Sequence, residues 1–158
     1  MNKIDVRGRV WCSYKKLAKK VALQVLEIMG QPDHLEVAIE FVGEDEIQRL
    51  NREIRNVDKV TDVLSFPATE LKAGEILDKS SEEVLFLMTD DAYVHFGDMA
   101  LCFKQCKRQA KEYGVSVKSE IKKLVIHSML HLMGYDHIKD SDYEVMNQKE
   151  KELAEKIV

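Results

Sequence analysis

Hydrophobic residues follow a helical spacing over residues 13–29 and a strand spacing soon afterwards. In the first segment the apolar positions recur every three or four residues, Ser13 can cap the start, and Gly30 can end the helix. Over residues 35–42, Leu-Glu-Val-Ala-Ile-Glu-Phe-Val, apolar and polar types alternate, which predicts a strand. A second helix is predicted for residues 45–54, where the apolar side chains share one face.

Three short segments in the middle of the chain have the composition of strands. Residues 63–66 predict a short strand that Pro67 stops, because proline has no backbone N–H for the sheet. Residues 84–88 and 97–102 predict two more. Residues 68–83 are polar and predict a surface loop.

The last third of the chain reads as helical. Residues 103–113 have helical spacing, and Ser116 can cap the next helix. From Leu124 onward that helix is apolar around nearly its whole circumference, so we expect it to be buried at the centre of the fold. Ser141 and Glu144 form a capping-box pattern that predicts the start of a final helix.

Length and composition predict one ordinary globular domain over residues 1–158. The chain has 158 residues, of which 45% are hydrophobic and 33% are charged. It shows neither a signal-peptide pattern nor an apolar run of about 18 residues, so we expect a cytoplasmic protein without a membrane partner. A formal net charge of −4 argues against a protein that coats nucleic acid indiscriminately, but it permits a local basic surface.

Three cysteines without a Cys-x-x-Cys pair fit a reducing compartment, and we expect no disulfide-linked partner. Cys102 and Cys106 lie four residues apart and could bind a metal from one helix face. We favour the alternative that they are small buried hydrophobic residues.

The candidate chemistry lies in the segment His127-Ser-Met-Leu-His131-Leu-Met-Gly134-Tyr-Asp-His137. Two histidines four residues apart on a helix lie side by side, so both imidazoles can reach one ion. Gly134 can end the helix and let the chain turn back to offer His137 as a third ligand. Three protein nitrogens with a fourth position open are typical of a catalytic zinc site. The alternative is that these are two core histidines and a loop histidine.

The same spacing occurs in the metzincin proteases, in which the residue after the first histidine is a glutamate that acts as general base. This chain has Ser128 there, and a neutral hydroxyl cannot replace a carboxylate at neutral pH. The pattern therefore disfavours a metallopeptidase, which would need a carboxylate from elsewhere in the fold. Nickel or copper would bind the same imidazoles, although zinc is favoured.

A cationic stripe is predicted on the helix over residues 103–113. Its members lie at i, i+3, i+4 and i+7 and are Lys104, Lys107, Arg108 and Lys111. A stripe of this kind is often only a solvated helix face. It would matter for function only if it lay beside the metal.

Three segments resemble, in the same order, the YbeY family of bacterial ribosomal-RNA maturation factors. They are residues 55–67 (Arg-Asn-Val-Asp-Lys-Val-Thr-Asp-Val-Leu-Ser-Phe-Pro), the pair Gly97-Asp98, and the histidine stretch that ends at His137. The resemblance runs from about Asn51 to the end of the last helix. It implies a single-domain α+β fold, in which a small mixed sheet is packed with about five helices and the metal-binding helix is central. It also implies one zinc ion per chain, with the ligands His127, His131 and His137.

The resemblance further implies a metal-dependent endoribonuclease that acts on single-stranded RNA. The expected roles are 16S rRNA 3′-end maturation and ribosome quality control, with the small ribosomal subunit as partner. Arg55 matches the arginine that the family is thought to use with the metal, and a guanidinium can contact two phosphate oxygens at once. The alternative for Arg55 is a surface salt bridge with Asp58 or Glu53. In the nuclease hypothesis the cationic stripe guides the RNA backbone.

No general base is identified by the sequence. Asp136, next to a predicted ligand, and Asp98 are candidates, but orienting a metal-bound histidine is the commoner role of such a carboxylate. The chain departs from the family at Ser128, usually glycine, and at Val60, usually proline, and its loop over residues 68–83 is longer. None of these changes removes a ligand. A non-catalytic ribosome assembly factor stabilised by zinc is the alternative from another class.

Overall fold

The computed structural model describes residues 1–157, within which four strands and six helices form. The strands are β1 (Lys3–Arg7), β2 (Leu35–Val42), β3 (Val63–Pro67) and β4 (Val94–Cys102). The helices are α1 (Cys12–Ile28), α2 (Glu44–Arg55), α3 (Glu82–Leu85), α4 (Phe103–Tyr113), α5 (Val117–Leu132) and α6 (Asp140–Lys156). None of these helices combines the length and the apolar character needed to cross a membrane.

The strands form one mixed sheet in the order β1-β2-β4-β3. β1, β2 and β4 are parallel, and β3 runs antiparallel to β4 at one edge. Val63 lies opposite Leu101, and Pro67 lies opposite Gly97 at the far end of the pair. Proline has no backbone N–H to donate. An edge strand tolerates a terminal proline because on one side of the strand there is no neighbouring carbonyl that needs this donor. The predicted α+β class with a mixed sheet is confirmed.

Helix α5 lies at the centre of the fold. It contacts α1, α4, α6, β3 and β4, and its apolar side chains join those of α1 and one face of the sheet in the main core. On the other face α2 packs Ile47 against a smaller cluster of Leu64, Ala100 and Cys102. An all-round apolar helix must be enclosed by other elements, which is what the pattern beyond Leu124 predicts.

Several predicted elements match the structure closely. The predicted strand over residues 35–42 is β2, and the predicted helix over residues 103–113 is α4. Ser116 caps α5, because its side-chain oxygen accepts the Ser119 N–H at 3.0 Å. In contrast, β1 is not predicted. It has five residues and one fully buried apolar side chain, Ile4, which is too short a pattern to distinguish from a loop.

The predicted strand over residues 84–88 is wrong. Residues Glu82–Leu85 form the short helix α3, and Met88 makes only an isolated bridge with Val94. β3 pairs with β4 only over residues 97–101, so only the first residues of β4 are left for this segment on that side. There the His95 N–H donates to the Leu87 carbonyl at 2.9 Å, and the contact is too short to form a strand. Only Val84 of the segment is buried, whereas Phe86 is 90% exposed.

The two predicted serine caps other than Ser116 are also wrong. Helix α1 begins one residue before Ser13, after Trp11, which makes no side-chain capping bond. Helix α6 begins at Asp140, so Ser141 lies inside its first turn and the predicted capping box does not form. Capping contributes only about 1 kcal/mol, so tertiary packing can shift a helix start by a residue.

The polar segment over residues 68–83 is attached to the core at two places. The Gln31 side chain donates to the Glu75 carbonyl at 2.9 Å and accepts the Leu77 N–H at 3.1 Å. The Leu77 side chain is 6% exposed. The Gly74 N–H also contacts the Met133 carbonyl at the end of α5. The predicted loop is therefore anchored against the helix that carries the histidines. We call residues 68–83 the flap.

Candidate metal centre

Helix α5 and the turn after it bring the three predicted histidines together. His127 and His131 lie one helical turn apart, and their Nε2 atoms are 3.1 Å from each other. His137 completes the group, in which the three ligand atoms all lie within 4.8 Å of one another. The three histidines therefore lie together, as their spacing in the sequence predicts.

Gly134 makes the turn possible for two reasons. Its φ is +91°, a left-handed conformation that side chains with a Cβ rarely adopt. A Cβ at this position would also lie 2.1 Å from the Leu71 carbonyl oxygen, which is far inside van der Waals contact. The flap thus packs directly on the backbone of the turn, and the turn returns the chain toward α5.

Hydrogen bonds orient two of the three imidazoles. The His127 Nδ1 atom lies 2.7 Å from Glu150 Oε1 of α6, and the His131 Nδ1 atom lies 2.9 Å from the Tyr135 carbonyl oxygen. Both partners are acceptors, so each Nδ1 carries the proton and donates. Each Nε2 is then left with a lone pair, which is the form that binds a metal.

Sequence reasoning did not identify Glu150. It is one of several glutamates in the charged helix α6 and lies 23 residues from its histidine. Only the packing of α6 against α5 distinguishes it from the others. A carboxylate that accepts from the second ring nitrogen of a metal-binding histidine is a common supporting contact of such sites.

Burial keeps His131 neutral. Desolvation, and then the neighbouring His127 and His137, lower the pKa of His131 to about 4. At neutral pH this imidazole is therefore unprotonated. Metal binding requires the neutral form, so the environment of His131 favours a ligand.

The chemistry and the spacing of these donors fit a metal ion with nitrogen ligands. Two imidazole nitrogens on one tetrahedral zinc, each about 2.0–2.1 Å from the ion, would be about 3.3 Å apart. The observed Nε2 separation of 3.1 Å is close to that value. Zinc, nickel and copper all bind three imidazoles, so the donor set fits a class of metals.

An open cleft of about 740 Å³ lies at the histidines. Its walls come from the end of α2, the strand β3 with the residues before it, the start of the flap, and the turn after α5. The charged side chains that line it, besides the histidines, are Arg55, Asp62, Glu70 and Asp136. A cleft with this mixture of charges around a metal-binding group can accept a polar, charged substrate.

Arg55 is the last residue of α2 and lines the cleft. Neither partner suggested for it as a salt bridge contacts it among residues 1–157. Glu53 pairs with Arg49 at 2.7 Å, and Asp58 pairs with Arg52 at 3.4 Å. The exposed guanidinium is therefore available to an anion in the cleft.

The two candidate carboxylates differ in position. Asp136 lines the cleft, and its Oδ1 accepts the backbone N–H of His137 at 2.7 Å, which holds the turn that carries the third histidine. Asp98 instead contacts the Nε2 atom of His95 at 2.8 Å on β4 and lines a separate groove. The structure therefore brings Asp136 to the histidines and leaves Asp98 elsewhere, paired with a histidine to which the sequence assigned no partner.

The cationic stripe of α4 lies outside the cleft, since none of its four side chains lines it. Arg108 and Lys104 contact Glu44 at 2.9 and 3.8 Å, and the Arg108 hydrogen bond lowers the pKa of Glu44. The link from α4 to the cleft is Gln109, which donates to Asp62 Oδ2 at 3.2 Å. The stripe is thus adjacent to the cleft wall rather than part of it.

Ser128 and the two neighbouring cysteines do not take part in the metal group. Ser128 is fully buried and shares a 2.7 Å hydrogen bond with Ser65 of β3, so it acts in packing. Cys102 and Cys106 are buried free thiols, and burial raises the pKa of Cys106 to about 12. Their positions agree with the interpretation as small hydrophobic residues.

Comparison with known proteins identifies the family of this chain. A family model described as "Endoribonuclease YbeY" matches residues 5–158. The endoribonuclease YbeY of Caldicellulosiruptor bescii is 33% identical over 98% of this chain and 90% of the relative, and that of Clostridium acetobutylicum is 41% identical over 85% and 82%. A solution structure of a Thermotoga maritima protein, 30% identical, matches with a TM-score of 0.59 over 99% of this chain and 89% of that one. The chain belongs to the YbeY family of endoribonucleases.

Proposed function

We propose that the protein is a zinc-dependent endoribonuclease that cleaves single-stranded RNA in the cytoplasm. Its target would be the precursor at the 3′ end of 16S rRNA, and it would act in ribosome quality control on the small ribosomal subunit. The observation that carries the proposal is the group of three histidines in an open cleft that also contains Arg55. The endoribonuclease names of the relatives support the same class of reaction.

The histidines would hold the ion through Nε2, with Glu150 and the Tyr135 carbonyl fixing two of the rings. Zinc at this site would supply a Lewis acid for phosphodiester hydrolysis. Asp136 would keep His137 in place through its backbone N–H. The protein thus contributes a preformed set of ligands, which reduces the cost of binding the ion.

Arg55 would bind the phosphate that is cleaved. A guanidinium is charged at every physiological pH and can donate two parallel hydrogen bonds to phosphate oxygens. It would therefore stabilise the negative charge that develops at phosphorus. Its place at the end of α2, with no acidic partner among the described residues, leaves these donors free for substrate.

Two apolar side chains in the cleft favour an unpaired strand as the substrate. Ile54 and Ile138 line it with exposed side chains, and such apolar surfaces can pack against a base that is not stacked in a helix. The cations Lys104, Lys107, Arg108 and Lys111 would contact the RNA backbone beyond the cleft wall, on the side where Gln109 meets Asp62.

The proposal is tested by cleavage of a labelled single-stranded RNA with zinc-loaded protein. We expect the wild type to cut and the separately purified His131→Ala and Arg55→Ala variants to lose activity. Arg55→Ala should bind zinc normally, because Arg55 is exposed and contacts no histidine ligand. Equal cleavage by all three proteins would indicate a contaminating ribonuclease and would refute the proposal.

Two other outcomes would point to the alternative functions. If no protein cleaves RNA and loss of zinc lowers the melting temperature, the non-catalytic assembly factor becomes the better explanation. Zinc-dependent cleavage of casein would indicate a metallopeptidase. Ser128 is buried away from the cleft, so such a protease would have to use Asp62, Glu70 or Asp136 as its base.

A further inference from the structure

Three aromatic rings lie next to one another at the surface where α1 and α4 begin. The rings of Trp11 and Tyr14 are 6.1 Å apart and nearly parallel, at 11°. The ring of Tyr14 lies 5.1 Å from that of Phe103, and Phe103 meets Phe41 edge-on at 6.3 Å. We call Trp11, Tyr14 and Phe103 the aromatic platform. It is anchored in the core at one end and open to solvent at the other.

The open end of the platform is the only tryptophan of the chain, and that side chain is 77% exposed. Its backbone is held in place, because the Trp11 carbonyl accepts the N–H groups of Tyr14 and Lys15 in the first turn of α1. The indole therefore offers an exposed flat surface that projects from a fixed backbone position. Because the backbone is already fixed, a ligand that stacks on the indole would have to order only the side chain.

The surroundings of the platform are strongly basic. Residues 8–16 contain three cations, residues 103–111 contain four, and neither segment contains an acid, although the whole chain carries a net charge of −4. The Lys107 ammonium lies 5.0 Å above the Phe103 ring. Two of the four cations of α4, Lys104 and Arg108, pair with an acid, Glu44. Such a surface favours a partner that has both flat rings and negative charge.

Helix α4 connects the platform to the wall of the cleft. Phe103 and Gln109 are six residues apart in α4, which is about 9 Å along the helix axis. Gln109 donates to Asp62, which lines the cleft. Lys104, Lys107 and Arg108 lie between these two points in the sequence, where they could neutralise successive phosphates.

We propose that the aromatic platform is a second RNA-binding site, on which an unpaired base stacks against Trp11 while the cations of residues 9–16 and 104–111 bind the adjoining phosphates. The proposal rests on the nuclease function and adds a contact outside the cleft. Stacking tolerates any base, and it requires a base that is not paired in a duplex. The platform would thus contribute to binding single-stranded RNA near the cleavage site.

Fluorescence excited at a wavelength that tryptophan absorbs and tyrosine does not tests this directly, since Trp11 is the only tryptophan in the sequence. Zinc-loaded protein is mixed rapidly with a single-stranded oligoadenylate RNA, and the emission is read before cleavage proceeds. We expect saturable quenching, and a much weaker response to a duplex of the same length. Emission that is unchanged at RNA concentrations that saturate binding, measured by anisotropy of a labelled RNA, would overturn the proposal.

Two variants identify the contribution of stacking. Trp11→Ala should weaken RNA binding roughly 5- to 150-fold, whereas Trp11→Phe should retain most of the affinity. Phe86→Ala is the matched control, because Phe86 is a 90% exposed aromatic outside the platform, and it should bind as the wild type does. Equal affinity of Trp11→Ala and Phe86→Ala, both with wild-type melting temperatures, would refute the site.

Lys107→Ala tests the cationic part. It should weaken binding and reduce by about one the slope of log affinity against log salt concentration. The two proposals fail separately. If RNA cleavage requires His131 and Arg55 but RNA leaves the Trp11 emission unchanged, the platform proposal is refuted and the nuclease proposal is supported. If RNA quenches the Trp11 emission but no RNA is cleaved, the platform proposal is supported and the nuclease proposal is refuted.

Discussion

Glu150 offers a specific test of how the fold supports the metal ligands. Its carboxylate accepts the Nδ1 proton of His127 at 2.7 Å, a charge-assisted hydrogen bond. This contact orients the ring so that Nε2 faces the other two histidines, and it makes that nitrogen a stronger ligand. Glu150→Gln keeps the size of the side chain and removes its charge, so it should weaken zinc binding without unfolding the protein.

The size of the effect follows from the exposure of the pair. Loss of a carboxylate behind a metal-binding histidine typically reduces metal affinity 10- to 100-fold, about 1.4–2.7 kcal/mol. The two side chains are 31% and 25% exposed, so solvent screens part of their interaction. We therefore expect about a tenfold loss for Glu150→Gln and a larger loss for Glu150→Ala, which also removes the acceptor.

The assay is competition for zinc between the protein and a chelating indicator of known affinity. Glu152→Gln is the matched control, because Glu152 lies in the same helix but pairs with Lys149 and Lys156 instead of a histidine. It should bind zinc as the wild type does. If Glu150→Gln and Glu150→Ala both match Glu152→Gln, the carboxylate does not support the ligand and the reasoning is refuted.

Three further predictions concern stability. Gly134→Ala should lower the free energy of urea unfolding by about 3–5 kcal/mol, because φ is +91° and a Cβ would meet the Leu71 carbonyl at 2.1 Å. The control Gly43→Ala, whose Cβ would have nothing within 4 Å, should cost at most about 1 kcal/mol, since Gly43 is the N-cap of α2. Ser128→Ala should lower the free energy of unfolding by about 1–2 kcal/mol, because it leaves the Ser65 hydroxyl without its partner. The double variant with Ser65→Ala should lose less stability than the sum of the two single variants, and additive losses would contradict this. The pKa of His131 is lowered from 6.5 to about 4, so the unfolded chain binds more protons in this range, and the zinc-free protein should lose stability as pH falls from about 6.5 to 4. A pH slope that survives in His131→Gln would show that other groups cause it.

The candidate metal group could be predicted because its geometry is local. His127 and His131 must lie together on any helix, and Gly134 is within the same eleven-residue segment that ends at His137. The all-round apolar pattern of α5 likewise requires a central position. In both cases residues that are close in sequence determine the feature, so it could be predicted without knowledge of the tertiary packing.

The remaining features depend on residues that are distant in sequence. Nothing local distinguishes Glu150 from the other glutamates of α6 until that helix packs on α5. The same holds for Asp98, whose partner is His95. It also holds for residues 84–88, which have strand composition but meet β4 only at its first residues, beyond the end of β3. The side chains that can bind a metal are evident from their local spacing along the chain. The residues that support them and the groups that lie beside them are not, because those contacts join helices and strands that meet only when the chain folds.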